Sequence, residues 1–373
     1  MISTSGGFCV IQVLSTWQTF CLLFLFQLGT TIVFGFAGGA KQDAWLAALL
    51  SATIGIGIVW MFSRIYERNP GETLVSLLQI TFGKYVGHLL TSFYIFAFIY
   101  ESGRILRDLG ELMSTFLLPS TPAPFLMLLL VVLVAYACYA GIERIARLAE
   151  LSIIIVFLFT CVQLILLFFS DVIDFSWLLP VASDWRSIGV TVFPLGLTTT
   201  FGEVIVFAVF WKLTVSPRKF RKAALYSSLL VGAVFVLLDL IAVSTLGPDL
   251  FYRSFYPLLT SFQLIRIADF IDNLDPFVVT TFVTGGLFKI ILYAYAACTT
   301  ITLQWKTENH RAVIIPVALL IWFISIYTAK NIASHIFVGL KVVPWIIELP
   351  LFVVIPLVIF ILNGVFRKRS VGS

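Results

Sequence analysis

The sequence predicts an all-α integral membrane protein of about ten transmembrane helices in a 5+5 inverted repeat, with helices 1 and 6 unwound at mid-membrane. Three observations predict it. Of 373 residues, 60% are hydrophobic and only 12% charged, a composition that needs lipid as its solvent. Apolar stretches of about 20 residues, the length that crosses a hydrocarbon core, recur nearly from end to end. Two of these stretches, five spans apart, are interrupted at mid-depth by Gly and clustered Thr. An offset of five puts them in opposite orientations, as inverted five-helix repeats require.

Breaking the chain at charges and at Pro/Gly punctuation gives spans at about 12–36, 43–63, 86–117, 123–141, 146–170, 188–211, 221–246, 276–303, 312–329 and 343–365. The first carries Gln27-Leu28-Gly29-Thr30-Thr31. It has no Lys or Arg before Lys41, so it lacks the charged start of a cleavable signal and is expected to be retained. The second, fourth, fifth and ninth are apolar through their centres. The third holds Glu101, Arg104, Arg107, Asp108 and Glu111, and the sixth runs Gly196-Leu197-Thr198-Thr199-Thr200-Phe201-Gly202-Glu203. The seventh has a single Asp239, the eighth places Lys289 after Gly285-Gly286, and the tenth sets Glu348 between Pro344 and Pro350.

One set of alternate loops collects fifteen Lys and Arg, from Arg64 to Arg369, against six in the opposite set, which also holds Asp171, Asp174, Asp184, Asp249, Asp269, Asp272 and Asp275. By the positive-inside rule both termini are cytoplasmic. A single membrane domain follows, with its repeats over about 10–170 and 186–366. The longer acidic-side segments, 171–187 and 247–275, read as interfacial helices lying on the outer face, on the strength of Phe255, Leu258, Leu259, Phe262, Ile265 and Ile267.

Gly and clustered Thr let a helix unwind, and the freed N–H and C=O groups then suit the carboxylate and ammonium of a small zwitterionic solute such as an amino acid. Gly29, Thr30, Thr31, Thr198, Thr199, Thr200, Phe201, Gly202 and Glu203 are therefore candidate ligand-binding residues, although such residues also serve close packing. Charges inside spans are expensive. Lys289 lies too deep to snorkel, and Glu101 and Glu203 are its natural counter-ions. Tyr94 and Tyr293 join the same candidate site. Local ion pairs are expected to satisfy Arg104, Arg107, Asp108 and Glu111 near the outer end. Glu348 reads as structural in a bent span, and Asp239 as a bundle-facing hydrogen-bonding group outside the site.

Several function classes are disfavoured. Cys9, Cys21, Cys138, Cys161 and Cys298 show no CxxC spacing, so neither a disulfide framework nor a zinc site is indicated. His88, His310 and His335 are scattered, with no HExxH, Walker loop, GxSxG elbow or dicarboxylate cluster; no enzyme, metal or cofactor is expected. The formal charge of +5 comes from short basic clusters between apolar runs, which orient helices in a lipid bilayer and do not read nucleic acid.

Phe26-Gln27-Leu28-Gly29-Thr30, Lys41-Gln42-Asp43-Ala44-Trp45, Phe82-Gly83-Lys84, Leu178-Leu179-Pro180 and Phe201-Gly202-Glu203 ahead of a basic loop occur in an order spread along nearly the whole chain. In that order the chain resembles the spore germination permease family, the B subunits of germinant receptors, within the amino acid–polyamine–organocation transporter superfamily. The resemblance implies a transporter-like ten-helix fold, the inner spore membrane, and a receptor complex with an A-type and a lipoprotein C-type subunit. It also implies a nutrient germinant, often an amino acid, sensed between spans one, three, six and eight, here at Gly29, Thr30, Glu101, Thr199, Thr200, Lys289 and Tyr293. The expected function is a germinant-sensing subunit that binds a small solute and signals by population shift. The alternative is a proton- or cation-coupled amino-acid permease of the same fold, and a third reading is an assembly scaffold with a vestigial pocket.

Overall fold

In hydrocarbon every backbone amide and carbonyl must find a partner within the chain, and this sequence solves the problem with helices. The computed structural model describes residues 14–29, 31–170, 172–264, 275–307 and 309–371. Cys9, Thr30, Asp171, Ile265, Arg266, Ile267, Asp269 and Asp272 lie outside the described residues.

Eight helices among the described residues are long and apolar enough to cross a membrane. They lie where spans other than the first and sixth were expected: α2 (Ala44–Arg68), α3 (Lys84–Phe116), α4 (Ala123–Ala140), α5 (Ile142–Phe168), α7 (Pro217–Leu246), α8 (Asp275–Trp305), α9 (His310–Tyr327) and α10. The last runs as Ile332–Lys341, a π-helical Pro344–Val354 and then Ile355–Val371. Pro350, inside the π segment, supplies no amide, so the i−4 ladder opens there. The two remaining segments are broken. Helix α1 (Thr16–Leu28), started by a Ser15–Gln18 capping box, stops at Gly29, and the chain turns helical again at Thr31–Phe34 and Phe36–Asp43. Helix α6 begins as Trp185–Thr191, passes through Val192–Gly196, and resumes as the 3-10 turns of Gly202–Val209.

Small residues bring the crossing helices together. A Cβ on Gly232 of α7 would lie 2.7 Å from that of Ala52 in α2, and one on Gly286 of α8 would lie 2.8 Å from Leu109 of α3. Such contacts allow the dispersion packing that holds helices together in lipid. Pairs α2–α7 and α3–α8 are the two most extensive among the described residues.

The alternate loops gather at two ends, as the charge pattern requires. At the acidic end Lys41 pairs with Asp249 at 3.0 Å, and the Asp43 carboxylate accepts from the amides of Ala182 and Ser183 at 2.6 and 3.1 Å. At the basic end Glu67 binds both Arg64 (2.8 Å) and Arg221 (3.0 Å). The acidic-end segments divide. Phe175, Trp177 and Trp185 are exposed, as interfacial helices demand, but the helix Pro257–Gln263 buries Leu258, Leu259 and Phe262. It therefore does not lie on the outer face as expected; it plugs into the bundle. Gly35 permits the close approach: its φ is +53°, and a Cβ there would fall 2.5 Å from Pro257.

Candidate functional site

The two broken helices meet α3, α8 and α10 around a buried polar core. Lys289 reaches it because Gly29 has no side chain: a Cβ on Gly29, at φ +31°, would lie 2.6 Å from Lys289 Cδ. Its ammonium then sits 2.5 Å from Glu203 Oε2, with both side chains 2% exposed, and donates to the Thr199 carbonyl at 3.3 Å in the unwound part of α6. Thr198 and Thr199 donate their hydroxyls to Glu348 Oε2 at 2.5 and 3.0 Å. Thr200 donates to Thr31 Oγ1 at 3.2 Å, tying the two breaks together. Carboxylate oxygens of Glu101, Glu203 and Glu348 lie within 4.8 Å of one another; they come from three separate helices, so no sequence spacing announced them.

Beside this core lies a cavity of about 70 Å³, lined by Thr31, Glu101, Arg104, Thr199, Lys289 and Glu348 among others. Most of the charge around it is already answered. Three polar atoms of cavity-lining residues are buried without a hydrogen bond among the described residues: Glu203 Oε2, which has the Lys289 ammonium at 2.5 Å, and Glu101 Oε1 and Arg104 Nη1, which have no ion pair either, although Arg104 Nη2 is engaged elsewhere. Glu101 and Arg104 stand one helical turn apart on α3, opposite in sign, on the wall of the same cavity. Buried polar groups are nearly always satisfied, so the cavity presents an unpaired acceptor and an unpaired donor to whatever enters it.

On the acidic side the cavity is separated from a vestibule of about 600 Å³ by Phe34, Phe36, Ile336 and Leu340, which line both spaces. The half-helix Ile332–Lys341 is held over α3 by a His335 Nε2–Asp108 Oδ1 contact of 2.7 Å and by Arg104 Nη2 donating to the His335 carbonyl at 3.3 Å. On the basic side aromatic rings pack beneath the polar core. Phe26 packs edge-on against Phe207 and Tyr293, with centroids 5.6 and 5.1 Å apart, and Phe98 stacks on Phe352.

Of the expected site residues, Thr31, Glu101, Thr199, Glu203 and Lys289 line the cavity. Thr198 and Thr200 act one bond away from it. Gly29 accommodates the Lys289 stem, Phe201 fills the notch left by Gly55, and Gly202 faces Phe352 and Val353. Tyr94 donates to the Leu351 carbonyl, and Tyr293 packs among Phe26 and Phe98; neither lines the cavity. Sequence reasoning missed Glu348 and Arg104. The expected local pairing holds for Arg107 with Glu111 at 3.2 Å, but Arg104 and Asp108 are tied instead to His335 of α10. Pro344 and Pro350 around Glu348 were the available signal, a helix break like the two others.

An all-helical membrane bundle with two broken helices beside a buried polar cavity has the architecture of a secondary transporter. Solved structures agree on the fold. A Na+-coupled sialic acid symporter in a substrate-bound, outward-open state matches with a TM-score of 0.70 at 11% identity, over 93% of this chain and 79% of that one. A nucleobase–cation symporter, closed around bromovinylhydantoin, matches with a TM-score of 0.65 at 10% identity, over 88% and 75%.

Within that fold the sequence is more specific. The family described as "Spore germination protein" matches residues 13–333, and this chain belongs to it. Spore germination protein KB of Bacillus subtilis (strain 168) is 32% identical over 361 residues, 96% of this chain and 97% of that protein. Putative spore germination protein YfkT of the same organism is 23% identical over 256 residues, covering 67% and 68%. The relatives named here are spore germination proteins, and the solved structures named here are solute symporters.

Proposed function

We propose that this protein is the nutrient-sensing, transporter-like subunit of a spore germination receptor, and that its germinant is a small amino acid held in the α3-facing cavity. The observation that carries the reading is the pair of orphaned groups on α3. Glu101 Oε1 accepts the ammonium, and Arg104 Nη1 donates to the carboxylate. A cavity of about 70 Å³ is far below the several hundred Å³ of drug-sized sites, which favours a ligand of few heavy atoms. Thr31 and Thr199, from the two broken helices, face the same space. Occupancy draws α3, α6 and α10 together, and that population shift is the signal passed to A-type and C-type receptor subunits.

The basic end faces the cytoplasm, so both termini are cytoplasmic and the vestibule opens to the outer side of the inner spore membrane. The chain is built of two inverted repeats, over about 10–170 and 186–366; the extensive pairing of α2 with α7 and of α3 with α8, helices five apart, supports that symmetry. Coupled transport of the same solute is the second reading, favoured by the symporter neighbours. Binding of radiolabelled amino acids to the purified protein, run beside uptake into proteoliposomes under proton and sodium gradients, tests both. Binding of a small amino acid, lost in Glu101→Gln and Arg104→Met and unaccompanied by uptake, is expected. Gradient-driven uptake makes the chain a permease, and wild-type affinity in both variants removes the assignment of the cavity.

A further inference from the structure

Away from the solute cavity, one ionisable side chain among the described residues is buried with nothing to answer its charge. Asp239 of α7 is 5% exposed, and among the described residues no group donates to its Oδ2 and no cation pairs with it. It lines a second cavity, of about 10 Å³, with Thr31, Gly35, Phe36, Phe235 and Leu258. That is the volume of a single water-sized sphere, too small for an organic solute. An ionised carboxylate in apolar surroundings is costly unless a charge and oxygen or nitrogen ligands meet it. A water molecule would supply hydrogen bonds but no charge. The segment facing Asp239 is also unusual: Thr31–Phe34 is one helical turn ended by Gly35 at φ +53°, so most of its carbonyls have no helical partner.

We propose that this cavity is a monovalent-cation site. Asp239 supplies the single negative charge, and the Thr31 hydroxyl with carbonyls of the Thr31–Gly35 turn supplies neutral oxygen ligands. One carboxylate balances one positive charge, and sites for bare divalent ions draw on more oxygen ligands than this space holds. Thr31 also lines the solute cavity and accepts from Thr200, so a cation that orders Thr31 orders the wall of the solute site, and each ligand raises the affinity for the other. The cation site stands by itself; only this coupling rests on the proposed solute reading.

The test needs no solute. Purified protein in detergent is held at fixed pH and fixed total chloride while N-methyl-D-glucamine is replaced by sodium or potassium, and thermal unfolding is followed by tryptophan fluorescence. The wild type is expected to show a saturable rise in Tm of about 2 °C or more with at least one ion. Asp239→Asn abolishes it, and Asp249→Asn, at the exposed acidic end, retains it. Thr31→Val, which removes one neutral ligand, moves the titration midpoint up about tenfold; this variant carries the test should Asp239→Asn fail to fold. Equal Tm in all three cations overturns the proposal, as does an unchanged response in Asp239→Asn or an unmoved midpoint in Thr31→Val. Stabilisation that appears only on acidification in N-methyl-D-glucamine, and is lost in Asp239→Asn, would make the occupant a proton and overturn it equally.

Discussion

Replacing Lys289 by Met removes the ammonium that faces three carboxylates and leaves its stem in place. Glu203 would then lie within 4.8 Å of Glu101 and Glu348 with no cation between them. At that separation and an effective dielectric constant of about 20, each pair of ionised carboxylates repels by about 3.5 kcal/mol. Proton uptake makes this an upper bound. Removing one partner of a buried ion pair costs about 3–5 kcal/mol in general, so Lys289→Met is expected to lose about 3 kcal/mol of stability. Glu203→Gln is expected to lose less, about 1–2 kcal/mol, because the stranded ammonium keeps the Thr199 carbonyl at 3.3 Å and two nearby carboxylates. The double variant removes both charges at similar volume and should recover about 2 kcal/mol of the summed loss. Unfolding by SDS in mixed micelles, followed by the fluorescence of the nine tryptophans, gives the four stabilities of this cycle. Additivity within about 0.5 kcal/mol would mean that the two groups share no contact, and the pairing of Lys289 with Glu203 would fall.

Gly29→Leu places a Cβ 2.6 Å from Lys289 Cδ and 2.9 Å from the Phe26 carbonyl, at φ +31°; it should cost about 1–3 kcal/mol and abolish solute binding while membrane insertion persists, and normal binding would count against the break in α1 as part of the site. Tyr94→Phe removes the donor to the Leu351 carbonyl, about 1 kcal/mol, and should leave solute affinity within about twofold, since Tyr94 lies off the cavity wall; a tenfold loss, about 1.4 kcal/mol, would return it to the site. At the acidic end the Ser187 hydroxyl, followed by the Ser187 and Arg186 amides, holds the Asp184 carboxyl below its usual range. Its folded value is thus lower than its unfolded value of about 3.9, so its support for the helix Trp185–Thr191 is complete above that pH and fades as pH falls through the folded value. Amide exchange in that helix should lose protection below about pH 4 in the wild type and stay flat in Asp184→Asn; identical profiles would refute the cap.

The sequence carried the bundle because each span is a composition signal in itself, and the alternation of loop charge needs no three-dimensional information. The breaks at Gly29 and Thr199 were legible for the same reason: Gly and Thr clusters inside apolar runs are local anomalies. Lys289 announced itself as a buried cation, and one of its two named counter-ions, Glu203, is its partner. What could not be read is which long-range contact each buried charge makes. Glu348 finds Thr198 across 150 residues of chain, and Asp108 finds His335 across 227. Arg104 offered a local partner in Asp108, and helical spacing favoured that pair, but α10 supplies a histidine and a carbonyl at the same depth. The helix Pro257–Gln263 has the apolar residues of an interfacial helix, and its burial depends on a contact no local pattern shows, with Gly35, more than 200 residues earlier, leaving room for Pro257.

The two ends of the molecule close the cavity differently, and that asymmetry bears on whether the protein senses or carries. Toward the acidic end, Phe34, Phe36, Ile336 and Leu340 stand between the cavity and the vestibule. Two of those four residues belong to the half-helix Ile332–Lys341, which His335–Asp108 and Arg104 hold against α3. Toward the basic end, Phe26, Phe207, Tyr293, Phe98 and Phe352 form one aromatic layer, and Tyr66 stacks on Trp211 at 5.2 Å beneath it while donating to the Trp211 carbonyl. Glu67 then clamps α2 to the start of α7 through Arg221, with Arg64 of its own helix on the same carboxylate. A transporter must open both ends in turn; a receptor needs only the first motion and a lever to report it. Helix α10 has the contacts of such a lever. It supplies the Ile336 and Leu340 side of the closure, places Glu348 on the cavity wall, and at the basic end offers the Phe360 carbonyl and ring to Arg68 of α2 at 3.0 and 4.4 Å. In the proposed reading, a solute that engages Arg104, which holds the His335 carbonyl, would act on the helix that reaches the opposite face, without the aromatic layer having to part.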